Sequence, residues 1–379
     1  MLLTVFCLVC CMVGEAQQMS YPALNDSVFL SNTEYQQGNK YQRDAILFVD
    51  MLVNTHPYYI QKERRDSLMA VQPILLNACK ECTSDSLFTQ LLYGVLGKLH
   101  DRHTDVIDST TFARMIQQKQ QMETSTAMEK SDNIMAYGGD LFHYQIFPEQ
   151  SICYLQFNSC QDARTMRNDS QPRWDLMLNE MFGRLETEHI QTLVVDAQYN
   201  GGGNSMLCDE LLLHLRPFSD LKNFQTFIRF SDLMASFNPR IAIAKKAWED
   251  DGHTDELYLL PSGQPGKNFV QPPIYEGKVV FVQGQRTYSS AGILMTLARD
   301  NHIGEIIGQP SSYPPSHYGE VLPFSLPNTG MLGRICTKYF ARPDTTCVND
   351  EVLVPDVVLD LNDKVAAWQF IVGRYGKTK

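Results

Sequence analysis

The chain has no basic cluster. It carries 32 Lys and Arg against 43 Asp and Glu, a formal net charge of −11. A nucleic-acid phosphate backbone calls for grouped cations, so nucleic acid is excluded as a partner. An acidic balance favours solubility and is silent about fold. No apolar run after the first 13 residues reaches the 18 or so that a membrane-spanning helix needs, so no membrane span is expected. Internal repeats and low-complexity tracts are absent. Cys79-Lys-Glu-Cys82 has no second CxxC and no HxxxH to complete a tetrahedral zinc site. Its helical surroundings also lack the βαβ context of a redox CxxC. Neither Gly-x4-Gly-Lys-Ser/Thr nor GxGxxG occurs, which removes the two commonest nucleotide cradles. No metal and no cofactor are therefore expected. What is present is ordinary for a globular chain, with 44% hydrophobic and 20% charged residues. Disorder, collagen and coiled coil do not fit. A length of 379 residues suggests roughly two domains.

Residues 2–13 read LLTVFCLVCCMV. The run is too short to span a bilayer and fits the apolar region of a secretory signal peptide. Gly14 and Ala16 are small enough for cleavage after residue 16. The flank lacks Lys and Arg, and a buried N-terminal strand is the bland alternative. A lipid anchor on Cys10 or Cys11 ranks lower, because the residues before them are not small. The expected location is secreted or periplasmic. Seven cysteines follow the leader. Cys336 and Cys347 flank a hairpin-like stretch and could pair in an oxidising compartment. Cys153 and Cys160 bracket a strand and would need it to turn back. Cys208 sits in an apolar helix and reads as an inert buried thiol.

Residues 41–100 carry helical periodicity in three stretches, 44–53, 61–79 and 84–99. With the leader removed, 17–110 reads as a helical module. Residues 111–130 fit a further helix or an exposed loop. From about 140 the pattern changes to strands alternating with helices, which implies βαβ units. Strands are expected at 141–147, 152–157, 190–196 and 278–283. Helices are expected at 174–185, 205–215, 289–300 and 361–373. The stretch 218–275, with mixed signals, reads as an insertion or lid within a core of 111–379. The fold class is α/β.

Two strand-to-helix junctions carry candidate chemistry. The first is Asp196-Ala197-Gln198-Tyr199-Asn200-Gly201-Gly202-Gly203-Asn204-Ser205. Glycines after a strand permit positive φ and expose N–H groups that can face an anion or a developing oxyanion. A plain tight turn is the competing reading. The second is Gly284-Gln285-Arg286-Thr287-Tyr288-Ser289-Ser290. A serine at a helix N-terminus is ordinarily a cap, and it can also be a nucleophile if a base activates it. His100 and His103 lie where helix gives way to strand, a place from which a side chain can reach a cleft.

Four segments in this order resemble the tail-specific, or C-terminal processing, serine peptidases, in the branch related to the tricorn protease core. The interphotoreceptor retinoid-binding proteins resemble the same branch. The segments are LHDRHTDV (99–106), LVVDAQYNGGGNS (193–205), GKVVFVQGQRTYSSAGILMTLARDN (277–301) and VLVPDVVLD (352–360). The resemblance implies a crotonase/ClpP-like core behind a helical module. It implies Ser289 as nucleophile and His103 as general base. Backbone N–H groups of Ser290 and of Gly201 or Gly202 would form the oxyanion hole. An acidic residue before the closing strand would orient the base. Asp350 and Glu351 are the candidates and Glu351 is preferred, although a strict alignment puts Asn349 there. The lysine of the Ser/Lys branch is missing from SSYPPSHYGE (311–320), where His317 is a lesser candidate base. Gly292 replaces a glutamate of many relatives, and Arg102 replaces a serine of the tricorn enzyme. Residues 105–140 are too few for a PDZ module. The implied function is an exported serine endopeptidase acting on peptides or unfolded protein. The alternative is a non-catalytic binder of a peptide or apolar ligand on the same fold.

Overall fold

The computed structural model describes residues 20–99, 101–125, 133–261, 263, 269–347 and 351–377. The leader with its cleavage site, His100, Asn349 and Asp350 lie outside the described residues. Among those described, the strands are β1 (Asp105–Ile107), β2 (Phe142–Phe147), β3 (Ile152–Phe157), β4 (Thr192–Asp196), β5 (Gln225–Ile228), β6 (Tyr258–Leu259), β7 (Lys278–Gln283), β8 (Glu305–Gly308), β9 (His317–Ser325), β10 (Leu332–Ala341) and β11 (Val357–Val358). The chain divides into two compact units, each assembled from three stretches. The first comprises Met1–Thr126, Gln225–Pro261 and His317–Phe340; the second comprises Ala127–Phe224, Ser262–Ser316 and Ala341–Lys379. The stretch 218–275 is therefore shared out, with its helices Asp232–Phe237 and Pro239–Asp250 in the first unit.

The first unit is a helical layer on a small sheet. Helices span Lys40–Thr55, Lys62–Lys80, Asp85–Leu96 and Ser109–Ser125. Asn39 opens the first of them with a reciprocal capping box to Gln42. Ser84 caps the third by accepting from the Leu87 amide. Their apolar stripes meet in a core around Phe48, Leu52, Phe88 and Leu92, to which Phe324 and Ile335 of β9 and β10 contribute. The sheet runs β1-β10-β5-β6, with β9 also paired to β10.

In the second unit the sheet runs β11-β8-β7-β4-β3-β2. β3, β4, β7, β8 and β11 are parallel, and β2 is an antiparallel edge. β3 and β4 are buried at every residue, as strands covered on both faces must be. From β3 to β4, β7 and β8 the chain always adds the next strand on the same side. Crossovers of constant hand then fall on one face. Accordingly helices Trp174–Thr187, Met206–Leu213 and Ser290–Asp300 share one core. Helix Lys364–Tyr375 and Met135 cover the other face. This α/β core, with a helical N-terminal region, is the expected fold class.

Candidate active site

In the second unit both glycine-rich and serine-rich loops leave the carboxyl ends of neighbouring parallel strands, the usual place for a site in such a sheet. β4 ends on Asp196, whose carboxylate is fully buried. It accepts from the Tyr154 hydroxyl, from the Gln198 amide N at 2.9 Å and from Gln198 Nε2 at 2.6 Å. Lys364 Nζ donates to Gln198 Oε1 at 2.6 Å. Burial pushes the Asp196 carboxyl up, while the Tyr154 and Gln198 donors pull it down. This network fixes the start of the loop. Thr287 ties the second junction to the first: its Oγ1 donates to the Ala197 carbonyl and accepts from the Gly284 amide.

The glycines then allow close approach. At Gly202 φ is +100°, and a Cβ there would lie 2.7 Å from the Ser289 Cβ and 3.1 Å from the Ser290 amide nitrogen. At Gly203 φ is +134°, and a Cβ would lie 2.5 Å from the Cys160 carbonyl oxygen. Only glycine fits either place. The Gly202 amide donates to Asn200 Oδ1 at 2.8 Å, so it is engaged within the loop. Tyr288 N–H donates to the Asn200 carbonyl, and Ser290 Oγ to the Gly203 carbonyl at 2.7 Å. Ser289 itself has φ 52° and ψ −124°, a backbone region that non-glycine residues avoid. It immediately precedes helix Ser290–Asp300 and makes no side-chain cap bond there, contrary to the bland capping reading. The structure thus brings Ser289, Ser290 and Gly202 together.

Behind the loop Cys160 and Cys208 are both buried, with Sγ atoms 3.5 Å apart. All seven described cysteines are free, including Cys336 and Cys347. The Cys336 amide is tied to Thr104 Oγ1 within a sheet whose neighbours bury the thiol. Gly292 also has a local explanation. A Cβ there would lie 2.6 Å from the Tyr313 ring, which occupies the space a glutamate would need.

His103 belongs to the first unit, in the segment between helix Asp85–Leu96 and β1. The side chain is 13% exposed. The preceding Asp101, with a side chain only 1% exposed, accepts from the His103 amide at 2.9 Å and the Thr104 amide at 3.1 Å. Its Oδ1 lies 3.8 Å from His103 Nδ1, and its Oδ2 lies 3.0 Å from Nε2 of the fully buried His56. Burial alone would raise the Asp101 carboxyl. The hydrogen bonds and charges of His103 and His56 outweigh it and hold the group well below its ordinary range. His317, on β9, is buried, stacks on Phe340 and lies 6.4 Å from the His103 ring. Glu351 is exposed, in the second unit.

Sequence reasoning quoted Asp101 inside its motif but gave it no role. It passed over His56, whose partner lies 45 residues away. Among the described residues, His56, Asp101 and Cys336 are the one group with metal-ligand atoms close together, within 4.8 Å. The donor set does not suit a cation. His56 Nδ1 accepts the Tyr58 amide N–H, so Nε2 carries the proton and faces Asp101. Burial, the largest influence, also pushes the Cys336 thiol well above its ordinary range, against a metal-binding thiolate.

The profile of peptidase family S41 matches residues 151–359, more than half of the chain. The protein belongs to peptidase family S41 and is a serine peptidase, a hydrolase of peptide substrates. Similar folds occur in solved structures. Mature CPAF is 10% identical, with a TM-score of 0.61 over 88% of this chain and 96% of that one. A protein from Parabacteroides merdae ATCC 43184, assigned by inference as a peptidase, is 14% identical, with a TM-score of 0.54 over 87% and 96%. A lipoprotein from Streptococcus agalactiae is 12% identical, with a TM-score of 0.50 over 88% and 96%. At these identities the likeness is one of fold. No curated protein has a sequence that matches this one. No helix among the described residues is long and apolar enough to cross a membrane.

Proposed function

We propose that the protein is an exported serine endopeptidase with Ser289 as nucleophile and His103 as general base. The observation that carries this reading is the approach of Gly202 to Ser289 and the Ser290 amide, with Ser289 held at positive φ before a helix. Such a turn lifts the hydroxyl out of the capping role and sets an adjacent amide beside it. His103 takes the Ser289 Oγ proton as the oxygen attacks a peptide carbonyl, then donates it to the leaving amine. The acyl-enzyme is released by water. The Ser290 amide and a glycine-loop amide stabilise the oxyanion, each contributing about 3 kcal/mol to the transition state. Because the Gly202 amide already donates to Asn200 Oδ1, Gly201 is the favoured second donor. Glu351 stands for the acid that the resemblance implies; Asp101 lies beside His103, and its part is argued below. The apolar leader supports release to a secreted or periplasmic location.

Intact mass spectrometry after treatment with a fluorophosphonate probe tests the assignment. The expected result is one stoichiometric adduct, absent from a folded Ser289→Ala variant. An adduct that persists in the variant moves the nucleophile elsewhere. No adduct on the folded wild-type chain favours the peptide- or apolar-ligand-binding reading.

A further inference from the structure

We infer that Asp101 and His56 are positioning residues that set His103 for proton transfer. The inference rests on His103 being the base. It comes from a chain of buried polar groups in the first unit that no structural need of a helix or sheet explains. The Asp101 carboxylate faces His103 twice, through the backbone amide at 2.9 Å and toward Nδ1 at 3.8 Å. The first contact fixes where the residue starts. The second places an anion beside the ring nitrogen that becomes positive when the base has taken a proton, a contact that can shorten once the ring is charged. A carboxylate buried to this degree persists as an anion only if its oxygens are satisfied. Thr104 N–H and His56 supply the remaining donors.

His56 is well suited to that task and to no other. Its Nδ1 accepts the Tyr58 amide at 3.1 Å, which leaves Nε2–H to donate to Asp101. The Tyr58, Tyr59 and Tyr318 rings wall it in. Arg229 Nη1 holds its carbonyl at 3.1 Å. A neutral, single-tautomer histidine then orients the carboxylate, and the carboxylate orients the second histidine. The other charged groups nearby do not replace Asp101. Asp105 is paired with Arg334 at 2.7 Å, and Arg64 lies toward Tyr318 and the Tyr58 ring. Cys336 is held as the thiol, and His317 stacks on Phe340.

The test is the pH profile of fluorophosphonate inactivation and of peptide hydrolysis for wild type, Asp101→Asn, His56→Gln, His56→Leu and His103→Ala. Asp101→Asn should lower kcat roughly a hundredfold, with KM little changed. It should also move the apparent pKa of the base down by about one unit, because the stabilising anion is gone. His56→Gln keeps an N–H donor toward Asp101 and should retain most activity, whereas His56→Leu should behave like Asp101→Asn. Thermal midpoints and circular dichroism identify any variant that fails to fold, and the Asn and Gln variants are nearly isosteric. If His103→Ala is inactive while Asp101→Asn keeps the wild-type profile, the positioning role is wrong and the base assignment stands. If His103→Ala retains full activity, the base assignment itself fails. Should His56→Gln be as damaged as His56→Leu, the donor role of His56 is overturned.

Discussion

At the residue scale, the site depends on atoms that are missing as much as on those present. A methyl group on Gly202 would overlap Ser289 Cβ and crowd the Ser290 amide, and the residue would also sit at φ +100°. Gly202→Ala is therefore expected to cost about 1–3 kcal/mol of stability and to lower the fluorophosphonate labelling rate by at least tenfold. Stopped-time labelling alongside urea unfolding checks both parts. A labelling rate equal to wild type would mean that this approach does not shape the nucleophile. Ser289, Ser290 and the glycine loop were legible because each stands at a strand-to-helix junction that local pattern marks. Asp101 and His56 were not. A single buried carboxylate accepting from two amides and a distant histidine leaves no periodicity, and nothing in NTHPYY (54–59) marks His56 as different from a surface histidine.

At the element scale, the strands and helices of the second unit followed from alternation between buried runs and apolar stripes. The stripe beginning at Trp174 became helix Trp174–Thr187, and KVVFVQ became β7. Long, strongly periodic segments are fixed by local hydrophobic spacing, so they survive without tertiary information. The short strands β1, β5 and β6 carry too few residues for a period to show. What holds the junction after β3 in place is a buried cap. Asp162 Oδ1 accepts from the Thr165 amide at 3.0 Å. Its Oδ2 accepts from Arg164 Nε at 2.7 Å and from the Trp174 amide at 3.3 Å. Burial raises this carboxyl, and the three donors more than offset it, leaving it below its ordinary range. A depressed folded pKa means stability that is present above about pH 4 and lost as pH falls through the folded value. Asp162→Asn keeps the cap oxygen but turns a donor toward Arg164 and the Trp174 amide. It should cost about 2 kcal/mol at pH 7. The gap from wild type should close as pH falls below 4. Urea midpoints at pH 7 and pH 3 read this directly, and an unchanged gap at pH 3 would contradict the assignment.

At the scale of the whole molecule, the chain enters each unit three times, so its organisation rests on contacts between distant parts of the sequence. Such contacts are invisible to local pattern, which is why a helical module could be read and a three-piece unit could not. Each unit contains a buried ion pair that ties a returning segment to an earlier one. In the first unit Asp105 on β1 pairs with Arg334 on β10. In the second, Arg342 follows β10 and pairs with Asp300 at the end of helix Ser290–Asp300, with contacts of 2.5 Å and 3.1 Å. Both Arg342 and Asp300 side chains are at most 3% exposed. Charges so deeply buried are costly to bring out of water, and the pair offsets that cost only while both members are present. Arg342→Met leaves the Asp300 carboxylate without its cation and should destabilise by about 3–5 kcal/mol. The double variant Arg342→Met with Asp300→Leu removes the orphaned charge, and urea midpoints should show it recovering at least half of that loss. If the double variant is as unstable as the sum of the two singles, the pair is not what secures the chain where it re-enters the second unit, and the geometry of residues 342–347, which also includes the Asp344 amide donating to Asp300 at 3.0 Å, carries that duty instead.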